Sequence, residues 1–209
     1  SDLEIHKIPA LRSPIMVVAF SGWNDAAEAA TGAVSHLLGI WSESSDIDEP
    51  TESDLIPELI ADVDSEEFYD FQVNRPTIFV DDSSVRNLTW PGTQVFGLRT
   101  ASLPHDFVVV NGVEPSMKWK SFTSEILDLA DDLEVEVIIT MGSMLADTPH
   151  TRPITVSGSG AHPDIAKRLG VEISKYEGEK WDKYLPPISQ PKRVSLLKNI
   201  LFSAIVLSD

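Results

Sequence analysis

The run Gly142-Ser-Met-Leu-Ala-Asp147-Thr-Pro-His150-Thr-Arg152 brings a carboxylate, an imidazole and a guanidinium close together, directly after the apolar stretch Val135-Glu-Val-Ile-Ile-Thr-Met141. An Asp–His pair can move a proton near neutral pH, and an arginine beside it can orient a phosphate or carboxylate. A second junction has the same form. Ile15-Met-Val-Val-Ala-Phe20 is followed by Ser21-Gly22-Trp23-Asn24-Asp25 and then by the helical pattern Ala30, Val34, Leu37, Leu38, Trp41. Apolar strands that end in glycine and polar residues place chemistry at the carboxyl edge of an open α/β sheet, where such sheets hold their ligands. Gly22 and Gly142 are therefore expected at the carboxyl ends of neighbouring parallel strands, with Trp23, Asp25, Asp147 and His150 around one depression. Glu114, in Gly112-Val-Glu-Pro115, ends the strand Phe107–Asn111 on the same edge. The candidate ligand- or partner-binding residues are thus Trp23, Asn24, Asp25, Glu114, Asp147, His150 and Arg152, and none is assigned a catalytic role.

Each has a structural reading beside the functional one. Asp25 with Glu28 three residues later makes a capping-box-like helix start, and a side-chain cap contributes about 1 kcal/mol. Trp23 either staples the following helix to the core or stands at the rim of a cleft. Asp147 and Arg152 can satisfy each other in a loop whose path Pro149 and Pro153 fix. Glu114 suits a helix entry, where negative charge meets the positive end of the helix dipole. Ser143 lacks the G-x-S-x-G elbow of a hydrolase nucleophile, and a Ser, an Asp and a His so close along one loop rarely reach triad geometry. The phosphate-loop, dinucleotide and H-E-x-x-H words are absent, and His6, His36, His105, His150 and His162 show no metal-ligand spacing, so no metal and no cofactor is expected.

Several rare-residue words follow one another in register. They are Ala19-Phe-Ser-Gly-Trp-Asn-Asp-Ala26, Tyr69-Asp-Phe-Gln-Val-Asn-Arg-Pro76, Leu88-Thr-Trp-Pro91, Asn111-Gly-Val-Glu-Pro115 with Lys118-Trp-Lys120, and Leu145-Ala-Asp-Thr-Pro-His-Thr-Arg-Pro153. Together they resemble the proteasome assembly chaperone family in its actinobacterial branch, over about four fifths of the chain. The resemblance implies a three-layer, phosphorylase/hydrolase-like fold and a chaperone-like role. It departs from the family pattern after Tyr176-Glu-Gly178, where Pro186-Pro187 and a helix-like stretch Pro191–Leu207 follow almost at once.

Composition bounds the answer independently. A length of 209 residues, 42% of them hydrophobic, fits a single α/β domain over 1–209 with room for a sizeable core. The absence of cysteine excludes a disulfide framework, a thiolate metal site and a cysteine nucleophile, and it fits a cytoplasmic protein. No apolar run is long enough to span a membrane, and a net charge of -17 opposes a phosphate-backbone partner, so neither membrane nor nucleic acid is expected. The stretch Glu43–Asp70 holds twelve acids and no Lys or Arg, and residues 42–54 read as an acidic flexible loop.

The elements that must position the polar edge alternate between strand and helix. Strands are expected near Ile15–Phe20, Thr77–Val80, Thr93–Leu98, Phe107–Asn111 and Val135–Met141, with helices over about Asp25–Leu38 and Ser116–Asp132. In the second helix Trp119, Phe122, Ile126, Leu129 and Leu133 recur at helical spacing. This alternation predicts an α/β/α protein with a mixed, mainly parallel sheet, in which Thr77–Val80 and Thr93–Leu98 form an antiparallel excursion. Two functions then compete. The first is a non-catalytic chaperone-like or adaptor protein acting through protein contacts; the resemblance in fold, together with a helix whose Trp119 and Phe122 exceed what a small core needs, points to a homo-oligomer, with a trimer as first choice. The second is a nucleoside- or phosphate-type hydrolase- or phosphorylase-like enzyme or binder using the polar edge.

Overall fold

The computed structural model describes residues 2–43, 56–81, 84–100, 102–146, 151, 156–160, 172–173 and 200–207. Of the acidic loop expected over 42–54, residues 44–54 lie outside them, as do the words Tyr176–Gly178 and Pro186-Pro187, whereas Ser42 and Glu43 are not loop but the end of a helix. After β1 (Leu3–Ile5), the strand β2 (Ile15–Ser21) sits at the centre of the molecule. Its Met16, Val18 and Phe20 face one layer and its Val17 and Ala19 the other, and all five are buried. Such a strand needs cover on both sides. A single 3₁₀ turn, Ala26–Glu28, leads into α1 (Ala29–Glu43), whose Ala30 and Val34 close one face against Val17, Ala19 and Val109.

The chain then adds β3 (Glu58–Val63), a short α2 (Ser65–Phe68), a hairpin of β4 (Thr77–Val80) and β5 (Arg86–Thr89), and the strands β6 (Thr93–Leu98) and β7 (Phe107–Val113). The helix α3 (Trp119–Asp132) covers the opposite face, burying Phe122, Ile126 and Leu129 against Met16, Val18 and Phe20. Phe122 makes edge-on contacts with Phe20 and Phe68, each with centroids 5.4 Å apart. Its bulk is thus core, and Phe122 supplies no surplus apolar surface for self-association. The strands β8 (Val137–Ala146), β9 (Val156–Gly160), β10 (Glu172–Ile173) and β11 (Ile200–Leu207) complete the described elements.

Nine strands form one sheet in the order β1-β3-β6-β7-β2-β8-β11-β9-β10. Four neighbouring strands at its centre, β7, β2, β8 and β11, run parallel, while β6, β3 and β1 follow antiparallel on one side. Beyond β11, β9 pairs antiparallel and β10 joins β9 in parallel. The protein is therefore a three-layer α/β/α structure on a mixed sheet with a parallel centre, as its alternating pattern predicts.

Three expectations need correction. Thr77–Val80 does not pair with Thr93–Leu98. It pairs with Arg86–Thr89 in a separate two-stranded sheet, and β6 instead lies between β3 and β7. The strand expected to end at Met141 runs on to Ala146, because Ser143 is drawn into register with Asp25. Residues 200–207, expected as the end of a helix, form β11 against β8, since a continuous apolar run suits a strand as well as a helical segment.

The last turns of α3 crowd Asp128, Asp131 and Asp132 at the negative end of the helix dipole. Burial first, and then the charges of Asp128 and Asp132, hold the Asp131 carboxyl above its ordinary range. An acid raised in the folded state favours folding fully below its unfolded pKa, and that advantage is lost as pH rises through the folded value. Asp131→Asn should therefore raise the melting temperature at neutral pH, corresponding to about 0.2–0.5 kcal/mol for the like-charge helical pair it removes. The gain should disappear on acidification through the carboxylate range. Thermal melts across pH measure this, and a neutral-pH Tm at or below that of the parent would refute it.

Candidate functional site

At the carboxyl end of β2 the chain turns sharply, and Gly22 makes the turn possible. Its φ of 149° is a backbone setting that side-chain-bearing residues rarely adopt. A Cβ there would also lie 2.5 Å from Glu114 Oε2. The reason for that closeness is a set of hydrogen bonds across the turn. Glu114 Oε2 accepts from the Trp23 N–H at 3.1 Å, and its Oε1 accepts from the Asn24 side-chain amide at 3.1 Å. The Glu114 N–H in turn donates to Ser21 O at 2.9 Å. Glu114 thus ties the end of β7 to the end of β2 and leaves Trp23 projecting, 66% exposed. Trp23 is no staple of the helix; it stands in solvent.

Asp25 is almost wholly buried, at 6% exposure. Its Oδ1 accepts from the N–H groups of Ala30 at 2.8 Å and Thr31 at 3.2 Å, and Oδ2 accepts from the Thr31 hydroxyl. The predicted capping role is therefore present, but through the start of α1 proper rather than through Glu28, whose side chain is exposed. Ser143, fully buried on β8, donates its hydroxyl to Ala26 O at 3.0 Å and reaches Asp25 Oδ1 at 3.4 Å. Its N–H donates to Asn24 O at 2.8 Å, and a Cβ on neighbouring Gly142 would stand 3.2 Å from that same oxygen.

The expected meeting of the two glycine junctions is thus half realised. The strands β2 and β8 are parallel neighbours, and Gly22 follows the end of β2, but Gly142 lies inside β8. Trp23, Asn24, Asp25 and Glu114 are brought together. Asp147, His150 and Arg152 lie outside the described residues. Among the described residues no group of three or more His, Asp or Glu side chains is arranged to hold a metal ion.

A separate groove of about 1060 Å³ opens at the carboxyl ends of β2 and β7, between the start of α1 and the base of the β4–β5 hairpin. Its walls include Thr31, Ser35, Asn111, Gln94, Arg75 and Trp90. None of Trp23, Asn24, Asp25 and Glu114 belongs to its lining. Asn111 donates to Ser35 Oγ at 3.1 Å, and elsewhere at the strand ends the buried Tyr69 hydroxyl contacts Thr93 Oγ1 at 2.7 Å. Burial pushes the Tyr69 pKa up to about 12, against a lowering by the Thr93 hydrogen bond, so the phenol stays neutral. Trp90 packs on Phe71 with centroids 4.9 Å apart. The sequence holds a signal for these residues, since Asn74-Arg75, Trp90-Pro91 and Asn111-Gly112 all belong to its rare words. Their spacing along the chain, however, carries no chemistry that marks them as a site.

Asp25→Ala removes acceptors from a buried cluster and leaves the Ala30 N–H and the Thr31 hydroxyl short of partners, while the Ser143 hydroxyl keeps Ala26 O. It should lower stability by about 1–3 kcal/mol. Urea unfolding of the variant checks this, and an unchanged midpoint would show that the carboxylate does not hold the turn.

Comparison with known proteins places this geometry. The profile of the PAC2 family matches residues 19–179. No curated protein matches the chain. Among solved structures, a PAC2 family protein from Streptomyces avermitilis is 40% identical, with 93% of this chain and 76% of that one covered at a TM-score of 0.74. A proteasome-assembly chaperone homologue from Mycobacterium tuberculosis is 34% identical, covering 92% of this chain and 75% of that one at 0.72. An archaeal homologue of proteasome-assembly chaperone from Pyrococcus furiosus, 15% identical over 98% of this chain and 76% of that one, shares the fold at 0.56. The sequence words, the three-layer fold and the profile match agree: the chain belongs to the PAC2 family.

Proposed function

We propose that this PAC2 protein is a non-catalytic, chaperone-like homo-oligomer that acts through protein–protein contacts, with proteasome subunits as its partners. The observation that carries the reading is how the polar edge is used. Asp25 and Glu114 are both engaged in holding the β2–α1 turn, while Trp23 stands out from that turn as a rigidly supported aromatic. A mounted tryptophan is the residue type most often found to dominate a protein interface. Family membership and the chaperone homologue from Mycobacterium tuberculosis support the same reading. No helix among the described residues is long and apolar enough to cross a membrane.

One observation favours a second reading, that of a small-molecule binder. The groove beside Asn111 and Arg75 lies at the carboxyl ends of parallel strands, the usual ligand position in open α/β sheets. A single experiment separates the two readings. Purified chain is titrated against isolated proteasome subunits from the same organism, and separately against nucleosides and inorganic phosphate. Subunit binding that Trp23→Ala weakens by about 30-fold or more, as for an interface hot spot, is the expected result. Binding of a nucleoside or phosphate, with no affinity for subunits, would overturn it in favour of the second reading.

A further inference from the structure

Among the described residues the β4–β5 hairpin stands apart from the large sheet, paired only with itself. Ile78, Val80 and Leu88 share one of its faces, since Ile78 lies opposite Leu88 and Val80 opposite Arg86, and each is more than half exposed. Phe79, on the other face, is also more than half exposed. A lone two-stranded hairpin is marginal in water, and stability comes with a third strand or with cover on its apolar face. We propose that this hairpin is the surface through which a second copy of the chain docks. The inference rests on the reading above that the protein self-associates, and it names the contact.

Charge selects a second copy as the occupant. The whole chain carries -17, yet residues 73–90 sum to zero, with Arg75 and Arg86 balancing Asp81 and Asp82. Two copies therefore repel each other least where the hairpin meets the partner. Arg75 and Arg86 are both exposed, and neither has an ion-pair partner among the described residues. An apolar face that carries Arg86, with Arg75 two residues before β4, complements a surface rich in carboxylates, which is what the rest of this chain offers. The hairpin is held at its base by the Phe71–Trp90 ring contact, so it is presented to the partner rather than left to fold back.

Light scattering on the full chain, with hydrogen exchange on the same samples, tests the proposal. The parent should be oligomeric at micromolar concentration, with hairpin amides that gain protection as concentration rises. Ile78→Asp combined with Leu88→Asp should give the mass of one 23.0 kDa chain without changing the far-UV circular dichroism. Arg75→Glu combined with Arg86→Glu, which leaves the apolar face intact, should also dissociate the protein, and most strongly at low salt. An oligomeric parent whose mass neither variant changes would overturn the hairpin contact and leave self-association standing. A monomeric parent would overturn both, and protected hairpin amides in that monomer would assign the cover to the chain itself.

Discussion

A carboxylate buried to 6% exposure must have its lone pairs met, and Asp25 meets that requirement with the N–H groups of Ala30 and Thr31, the Thr31 hydroxyl and the Ser143 hydroxyl. Three elements converge on this one group: the turn after β2, the first turn of α1 and the middle of β8. The convergence explains why β8 does not stop at Met141. Its next residues are pulled alongside the turn by the Ser143 N–H to Asn24 bond, and the absence of a side chain on Gly142 lets that approach happen. It also explains how the chain tolerates Ala27 and Glu28 in succession at φ of 54°, a left-handed setting that disfavours such residues by about 1–2 kcal/mol each. The capped helix and the clamped turn leave no other path.

Glu114 makes the corresponding clamp on the neighbouring strand. Together the two acids weld the carboxyl ends of β7 and β2 to the start of α1, and the edge becomes rigid without any ligand. A rigid edge can serve a small-molecule site or a docking surface equally well. What distinguishes them here is which groups remain unengaged. Trp23 is left facing water, and the groove is edged by Trp90 and Arg75, residue types that recur at protein interfaces.

The sequence is most legible where burial leaves a two-sided pattern. The apolar strands β2, β6 and β7 and the helical spacing of Phe122, Ile126, Leu129 and Leu133 can be read directly, since each residue type has one environment to satisfy. β3 is hidden because its acids Glu58 and Asp62 suggest a solvated loop. In the fold those acids meet Lys7 and His6, far away in the sequence, on the exposed side of a strand near the sheet edge. β11 reads as helix because a continuous apolar run has no periodicity to separate a buried strand from a helical segment. At the site, the cap at Asp25 is legible from local spacing alone, whereas the engagement of Glu114 depends on a turn 90 residues away and is not.

The β4–β5 hairpin shows where pattern reading meets its physical limit. Thr77-Ile-Phe-Val80 has the composition of a core strand, so a place beside β6 in the large sheet is the natural inference. β6 already has β3 on one side and β7 on the other, and a strand has only two edges. The hairpin's expected place beside β6 is therefore taken by β3 and β7, whatever its own chemistry. Among the described residues the hairpin thus keeps core composition with no core to enter, and that is the physical argument for an interaction surface beside the edge that Asp25 and Glu114 make rigid.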